Sequence, residues 1–150
     1  MLKKTFFFVL IFCSLLSCKK DFFSESGPGL LSFSNDTVLF DTVFVSVGSI
    51  TKTLTVFNNN NNPVTVNNIR LSNISSLGVY RINIDGFPIE NTDEIKIAPN
   101  DSIFVFIEAT INPGATDLPF LISDSLIFST NGVEQQVKLV AYGQNAHFYT

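Results

Sequence analysis

The chain has 150 residues, of which 45% are hydrophobic and 15% are charged. This length suits one domain of ordinary size. Thirteen acidic side chains oppose nine basic ones, and no basic stripe interrupts the sequence, so the chain lacks the positive surface that a phosphate backbone requires. Nucleic acid is therefore not an expected partner.

The first 17 residues have the layout of an export signal. Lys3 and Lys4 precede an apolar stretch over residues 6–16. That stretch is too short for a transmembrane helix, which needs about 20 residues. It ends in the run Leu-Leu-Ser-Cys at residues 15–18, which resembles a bacterial lipobox. The resemblance implies cleavage before Cys18 and acylation of its sulfur, with simple secretion as the alternative.

Acyl chains such as palmitate on Cys18 would make the membrane a partner, because each methylene buried in lipid contributes about 0.8 kcal/mol. The expected location is the bacterial cell envelope, at the outer membrane, with the leaflet and the side left open. Cleavage also removes Cys13, so no internal disulfide is expected. Residues 18–29 mix charge, serine and glycine, and we predict that they form a flexible tether.

Beyond residue 30, apolar side chains recur with a period of two, as in half-buried strands. Leu54 and Val56 alternate with threonines, and residues 80–84 alternate in the same way. The pair at 131–132 is Asn-Gly, which predicts a type I′ hairpin turn. The sequence therefore predicts an all-β fold, an antiparallel immunoglobulin-like β-sandwich of seven to eight strands over residues 30–144.

Six pieces of the sequence follow one another in a characteristic order, at residues 47–49, 53–58, 63–66, 97–102, 125–131 and 137–143. With these pieces the chain resembles the immunoglobulin-like sandwich of the ASPM/SPD-2/Hydin and major-sperm-protein type, over roughly residues 38–144. One departure is Asn100, which stands where this family often has glycine. The resemblance implies an adaptor or spacer. In Bacteroidota lipoproteins a similar module precedes a β-helix, so we expect residues 145–150 to be a tail or the start of a linker to a missing domain.

Four triplets place a hydroxyl between an aspartate and an apolar residue, with Thr37, Thr42, Ser102 and Ser125 at the centre. These triplets resemble the O-glycosylation acceptor of Bacteroidota, and a glycan there would add a bulky, solubilising group. The alternative is that each triplet is a strand start, which opens with a turn-forming aspartate.

Two aromatic residues, Phe104 and Phe106, point away from the aliphatic face of their own strand. Both faces of that strand are therefore apolar. The rings are either covered, by a loop over residues 112–120 or by Phe40 and Phe44 of a kinked first strand, or offered as a docking surface for a protein or glycan partner. We favour coverage.

No residue pattern identifies a reaction. His147 is the single histidine, with no second imidazole to share a metal and no placed nucleophile to activate. The acids Asp85, Asp93 and Glu94 lack the spacing of a calcium loop. We therefore expect no catalytic residue, no metal, no cofactor and no small-molecule substrate.

The predicted function is a non-enzymatic, membrane-anchored envelope module that acts as a spacer, adaptor or docking domain. The alternative is a carbohydrate- or peptide-binding module at the cell surface. That alternative requires an exposed aromatic platform, such as Tyr80 with Phe87, or an unpaired strand edge.

Overall fold

The computed structural model describes residues 30–44, 48–73, 78–91, 94–111 and 120–144. The predicted signal (1–17), Cys18, the tether (18–29) and the tail (145–150) lie outside the described residues. Within the described ranges no helix is long and apolar enough to cross a membrane. The strands are β1 (Ser32–Phe33), β2 (Thr37–Phe44), β3 (Lys52–Asn58), β4 (Val64–Leu71), β5 (Tyr80–Ile84), β6 (Phe87–Pro88), β7 (Ile95–Ile97), β8 (Asp101–Ala109), β9 (Phe120–Thr130) and β10 (Val133–Gln144), with a 3-10 helix at Ile89–Asn91.

These strands form two five-stranded sheets. Sheet A has the order β1-β3-β8-β5-β6, and sheet B has the order β2-β10-β9-β4-β7. The predicted all-β, immunoglobulin-like sandwich is confirmed. The strand number exceeds the predicted seven to eight because β1, β6 and β7 are only two or three residues long.

One pairing departs from the antiparallel expectation, because β2 runs parallel to β10 in sheet B. The remaining pairs among the described strands are antiparallel. A sequence period of two identifies the buried face of a strand but carries no information on the direction of its neighbour. The first and last long strands of the domain therefore point the same way.

A single core lies between the two sheets. It consists of the inward side chains of each long strand, including Leu54 and Val56 from sheet A and Leu126 and Leu139 from sheet B. Full burial of one such aliphatic side chain contributes about 1.5–3 kcal/mol. The alternation seen in the sequence therefore corresponds to the main source of stability.

The alternation breaks twice, both times in sheet B. One extra residue, Asp41, interrupts the pairing of β2 with β10, and Asn67 does the same between β4 and β9. At each bulge two consecutive side chains are exposed, and the next one, Val43 or Ile69, is buried again. The bulges keep both halves of each strand facing the core.

Three turns need a positive φ. Asn131 (φ 50) and Gly132 (φ 80) join β9 to β10, which confirms the predicted type I′ turn. Asn100 has a φ of 55, so the asparagine adopts the left-handed conformation that glycine favours. A second hairpin, at Asp85 and Gly86 between β5 and β6, was not predicted, although its Asp-Gly pair is a standard signal.

The chain enters and leaves the sandwich at opposite ends. The backbone N–H of Leu31 donates to Gln135 Oε1 (2.8 Å), and Gln135 Nε2 donates to the Leu31 carbonyl (3.0 Å). Gln135 lies near the start of β10, which ends at Gln144. At about 3.4 Å per residue, these two glutamines are about 30 Å apart.

The asparagine run at residues 58–62 leads from the end of β3 towards β4, and it is more than a surface loop. Asn58 is fully buried, and its Nδ2 lies within 3.1 Å of the carbonyl oxygens of Asn62, Ile97 and Ala98. Its Oδ1 accepts from the backbone N–H of Asn60 (2.9 Å). One amide thus joins the ends of β3 and β7 to the loop.

We expect Asn58→Ala to lower the free energy of unfolding by about 2–4 kcal/mol, because it leaves several polar groups at the site without a partner. Asn61→Ala, in the same loop but exposed, should change it by less than about 0.5 kcal/mol. Chemical denaturation of both variants measures the difference. Equal stabilities would contradict a structural role for Asn58.

Candidate functional site

Phe104 and Phe106 form an exposed aromatic pair on the outer face of sheet A. Their ring centroids are 6.4 Å apart and the ring planes meet at 29°, so the rings lie nearly parallel. Phe104 is 46% exposed and Phe106 is 38% exposed. We call this pair the Phe platform.

The expectation that Phe40 and Phe44 of the first strand cover the Phe platform is wrong. Phe40 belongs to β2 of sheet B, where it is buried in the core with its ring centroid 5.9 Å from that of Tyr80. The core therefore separates Phe40 from the Phe platform, and Phe44, at the end of β2, is itself 41% exposed. Residues 112–119 of the other proposed cover lie outside the described residues.

Polar side chains surround the Phe platform. Thr55 lies opposite Phe104, whereas Thr53 and Asn83 lie opposite Phe106 on the two neighbouring strands. Residues directly opposite in a sheet project from the same face. The rings are therefore flanked on both sides by hydroxyl and amide groups.

Charged groups at the border of the Phe platform have partners of two kinds, a backbone N–H group and an opposite charge. Asp85 Oδ1 accepts from the backbone N–H of Phe104 (2.8 Å). Further along the same face, Arg81 forms an ion pair with Glu108 (2.8 Å). The platform thus offers apolar rings in a polar surround without a concentration of positive charge.

The structure separates the four predicted glycosylation positions into two groups. Thr37 begins β2 and Ser102 is the second residue of β8, so both lie at strand starts. Thr42 and Ser125 lie within β2 and β9, so the strand-start alternative is wrong for these two. Thr42 follows the bulge at Asp41 and is exposed.

Three of the four positions share one side of the sandwich. Thr37 and Ser125 lie opposite Lys138 from its two neighbouring strands, and Thr42 lies opposite Tyr142. All three therefore belong to sheet B. Ser102, in contrast, belongs to sheet A.

An apolar patch on sheet B was missed by sequence reasoning. Leu121 (59% exposed) lies opposite Tyr142 (48% exposed), and Leu39 lies opposite Val140 on the same face. The sequence did contain a signal for this patch, because these apolar side chains alternate with the core residues of their strands and so point outward. The patch adjoins the end of β10.

Sequence reasoning also missed Asp124, a buried carboxylate in the middle of β9. Its Oδ1 accepts from Ser72 Oγ (2.8 Å) and from the backbone N–H groups of Asn73 (3.2 Å) and Ser125 (2.6 Å). Its Oδ2 is buried without a hydrogen-bond partner. Asp124 thus fixes the end of β4 against β9 from inside the fold.

Tyr80 is buried beside this carboxylate, and its hydroxyl donates to the Ile122 carbonyl (3.1 Å). Burial first, and then the negative charge of Asp124, raise the pKa of Tyr80 to about 12. Phe87 is exposed on β6, so the aromatic platform of Tyr80 with Phe87 that the carbohydrate-binding alternative proposed is not formed.

The described part of the chain contains no group of three or more His, Cys, Asp or Glu side chains that could hold a metal. Of the acids considered for calcium, Glu94 contacts Lys96 (3.8 Å), Asp85 binds the β8 backbone, and Asp93 lies outside the described residues. His147 also lies outside them.

The sheet edges in the described ranges are poor templates for an added strand. The edge strands β1, β6 and β7 have two or three residues each. The longer edge strand β2 carries the bulge and charge of Asp41. Short length, bulges and charge all oppose pairing with another chain, so these edges do not favour a peptide-binding site.

Solved structures of other proteins share this fold, but the sequence comparisons assign the chain to no family. No protein-family model and no curated protein sequence matches the chain. A family 123 glycoside hydrolase from Clostridium perfringens is similar with a TM-score of 0.59 and 13% identity, over 77% of this chain and 27% of that one. The periplasmic chaperone SfaE is similar with a TM-score of 0.52 and 11% identity, over 76% and 58% of the two chains.

A PapD-like ASH domain of human CEP192 matches over 88% of this chain and 97% of its own length, with a TM-score of 0.51 and 13% identity. The matched region is therefore about a quarter of the hydrolase, just over half of the chaperone and nearly all of the ASH domain. The immunoglobulin-like sandwich is shared by all three.

We expect the free energy of unfolding to fall as the pH rises from about 10 to about 12, by up to about 1.4 kcal/mol per pH unit from Tyr80 alone. Unfolded tyrosine loses its proton near pH 10, whereas folded Tyr80 keeps it to about 12, so the unfolded state binds fewer protons in this window. Tyr80→Phe should flatten this fall, and the exposed control Tyr142→Phe should not. Equal slopes in denaturation series at pH 9 to 12 would contradict the buried environment of Tyr80.

Proposed function

We propose that this protein is a non-enzymatic, lipid-anchored module of the bacterial envelope that works as a spacer and docking domain. The observation that carries the proposal is the separation of the two ends of the sandwich. The chain enters beside Gln135 and leaves after Gln144, about 30 Å further along β10. A sandwich whose chain enters at one end and leaves at the other would keep the tether and any segment after Gln144 apart.

The anchor in this proposal is Cys18, acylated after removal of residues 1–17. If residues 18–29 form the proposed flexible tether, its root-mean-square length would be about 20 Å and its full extension about 40 Å. The rigid sandwich then adds a comparable distance. A tether of this kind leaves the domain free to reorient above the membrane, while the sandwich fixes the distance across itself.

The two outer faces have different roles in the proposal. Glycans at Thr37, Thr42 and Ser125 would cover sheet B and its apolar patch. Sheet A would then remain available for a partner through Phe104 and Phe106. Ser102, at the start of β8, is the one predicted glycan position on the docking side.

We expect Cys18 of the protein extracted from its native membrane to carry acyl mass and to be the first residue. Cys18→Ala should lose the acyl mass, whereas Cys13→Ala, which changes only the signal, should keep it. Intact mass measurement with peptide mapping gives the result. An unmodified mature chain that begins elsewhere would contradict the lipid anchor.

We expect hexose-containing mass on peptides that carry Thr42, because this residue is exposed and directly follows the bulge at Asp41. Thr42→Val should remove that mass, and Thr53→Val, an exposed threonine outside any triplet, should leave it unchanged. Peptide mass spectrometry on protein from the native cells tests this. Bare peptides at Thr37, Thr42, Ser102 and Ser125 would show that the triplets are structural only.

A further inference from the structure

We propose that the Phe platform binds a neutral carbohydrate chain, with one sugar ring against each phenylalanine. This inference rests on the proposed docking role and names the ligand class for it. Phe104 and Phe106 are two residues apart on β8, so they project from one face of the sheet. The ring centroids are 6.4 Å apart and both side chains are more than a third exposed, so the pair offers an apolar surface open to solvent.

The size of the exposed area favours a sugar over a protein. Together, the two rings expose less than one whole phenylalanine side chain, which is at most about 200 Å². A stable protein interface buries about 800 Å² on each partner and usually has an apolar centre. The platform is several times smaller than that, and it matches the flat face of one or two sugar rings.

The chemistry around the rings also matches a sugar. The π face of a phenylalanine carries negative partial charge, and the polarised C–H groups on one face of a pyranose are attracted to it. The hydroxyl groups of a sugar lie around its rim. Thr55 beside Phe104, and Thr53 with Asn83 beside Phe106, place polar groups where such a rim would lie.

The charge pattern selects a neutral sugar. Asp85 lies at the Phe104 side of the platform, and Glu108 at the other side is paired with Arg81. An acidic sugar would meet the carboxylate of Asp85, while Arg81 at the other side of the platform is already paired with Glu108. A neutral glycan avoids this repulsion, so neutral chains should bind more tightly than uronic acid chains.

The test uses the full-length protein in detergent and titrates it with cellohexaose, laminarihexaose, maltohexaose and chitohexaose, and with oligogalacturonate as the acidic probe. We expect at least one neutral probe to bind with a Kd of about 0.1–1 mM. The double variant Phe104→Ala/Phe106→Ala should weaken that binding by at least about tenfold. The control Leu121→Ala/Tyr142→Ala removes side chains from sheet B that are somewhat more exposed than the two phenylalanines, and it should bind as the wild type does.

Three results would overturn the proposal. The first is that no neutral probe binds at a concentration of about 10 mM, and the second is that oligogalacturonate binds more tightly than the neutral probes. The third is that the two double variants lose equal amounts of binding affinity. Thermal unfolding of both variants checks that the fold is intact. None of these measurements depends on acylation of Cys18, so a failure here is distinguishable from a failure of the anchored-spacer proposal. The converse also holds, because acyl mass on Cys18 is independent of sugar binding.

Discussion

The parallel pairing of β2 with β10 is the constraint on which the rest of the molecule depends. The first described strand, β1, lies in sheet A, and the chain crosses within three residues to β2 in sheet B. Because β2 then runs beside the last strand in the same direction, the point where the chain enters is held at the start of β10. The exit after Gln144 is therefore at the far end.

The same pairing determines what is exposed. Placing β2 in sheet B takes Phe40 into the core and leaves the outer face of β8 without that strand as a cover. The extra residue at the Asp41 bulge shifts the alternation of β2 by one position, so that Val43 also faces the core. The parallel pairing therefore accounts both for the opposed ends of the sandwich and for the exposed aromatic pair on sheet A.

Buried polar side chains hold the connections between the strands. Asn58 binds the carbonyl groups at the end of β7, and Asp124 binds the end of β4. Such groups are costly to bury unless their hydrogen bonds are made, and for that reason they specify one arrangement of the loops. The network around Asn58 lies at the end of the sandwich where the chain enters, since Asn60 Nδ2 also donates to the Leu30 carbonyl (3.2 Å).

The sequence predicted those features that depend on local patterns. The period of two placed Leu54, Val56 and the inward side of β8 correctly, and Asn-Gly at 131–132 identified its turn. It could not reveal the parallel partner of β2, because strand direction depends on long-range pairing. The role of Asn58 was hidden for a similar reason, since an asparagine in a polar run is read as a surface residue until its buried partners are known.

The platform was only half predictable. The outward phase of Phe104 and Phe106 was evident from the alternation on β8, but whether they are covered depended on the sheet to which Phe40 belongs. Asp124 had no local signal, because its triplet resembles the other three. Burial separates it from Asp36, Asp41 and Asp101, which are exposed.

The most direct test of the spacer is the distance between the first and last described residues of the domain. Spin labels at Leu30→Cys and Gln144→Cys, in a background where Cys13 and Cys18 are both replaced by serine, report this distance by pulsed electron paramagnetic resonance. The account predicts one narrow distribution centred near about 30 Å, as set by the strand rise from Gln135 to Gln144. A distribution centred below about 20 Å would place both ends on the same side of the sandwich and contradict the account, because about six residues of strand would then suffice to span it.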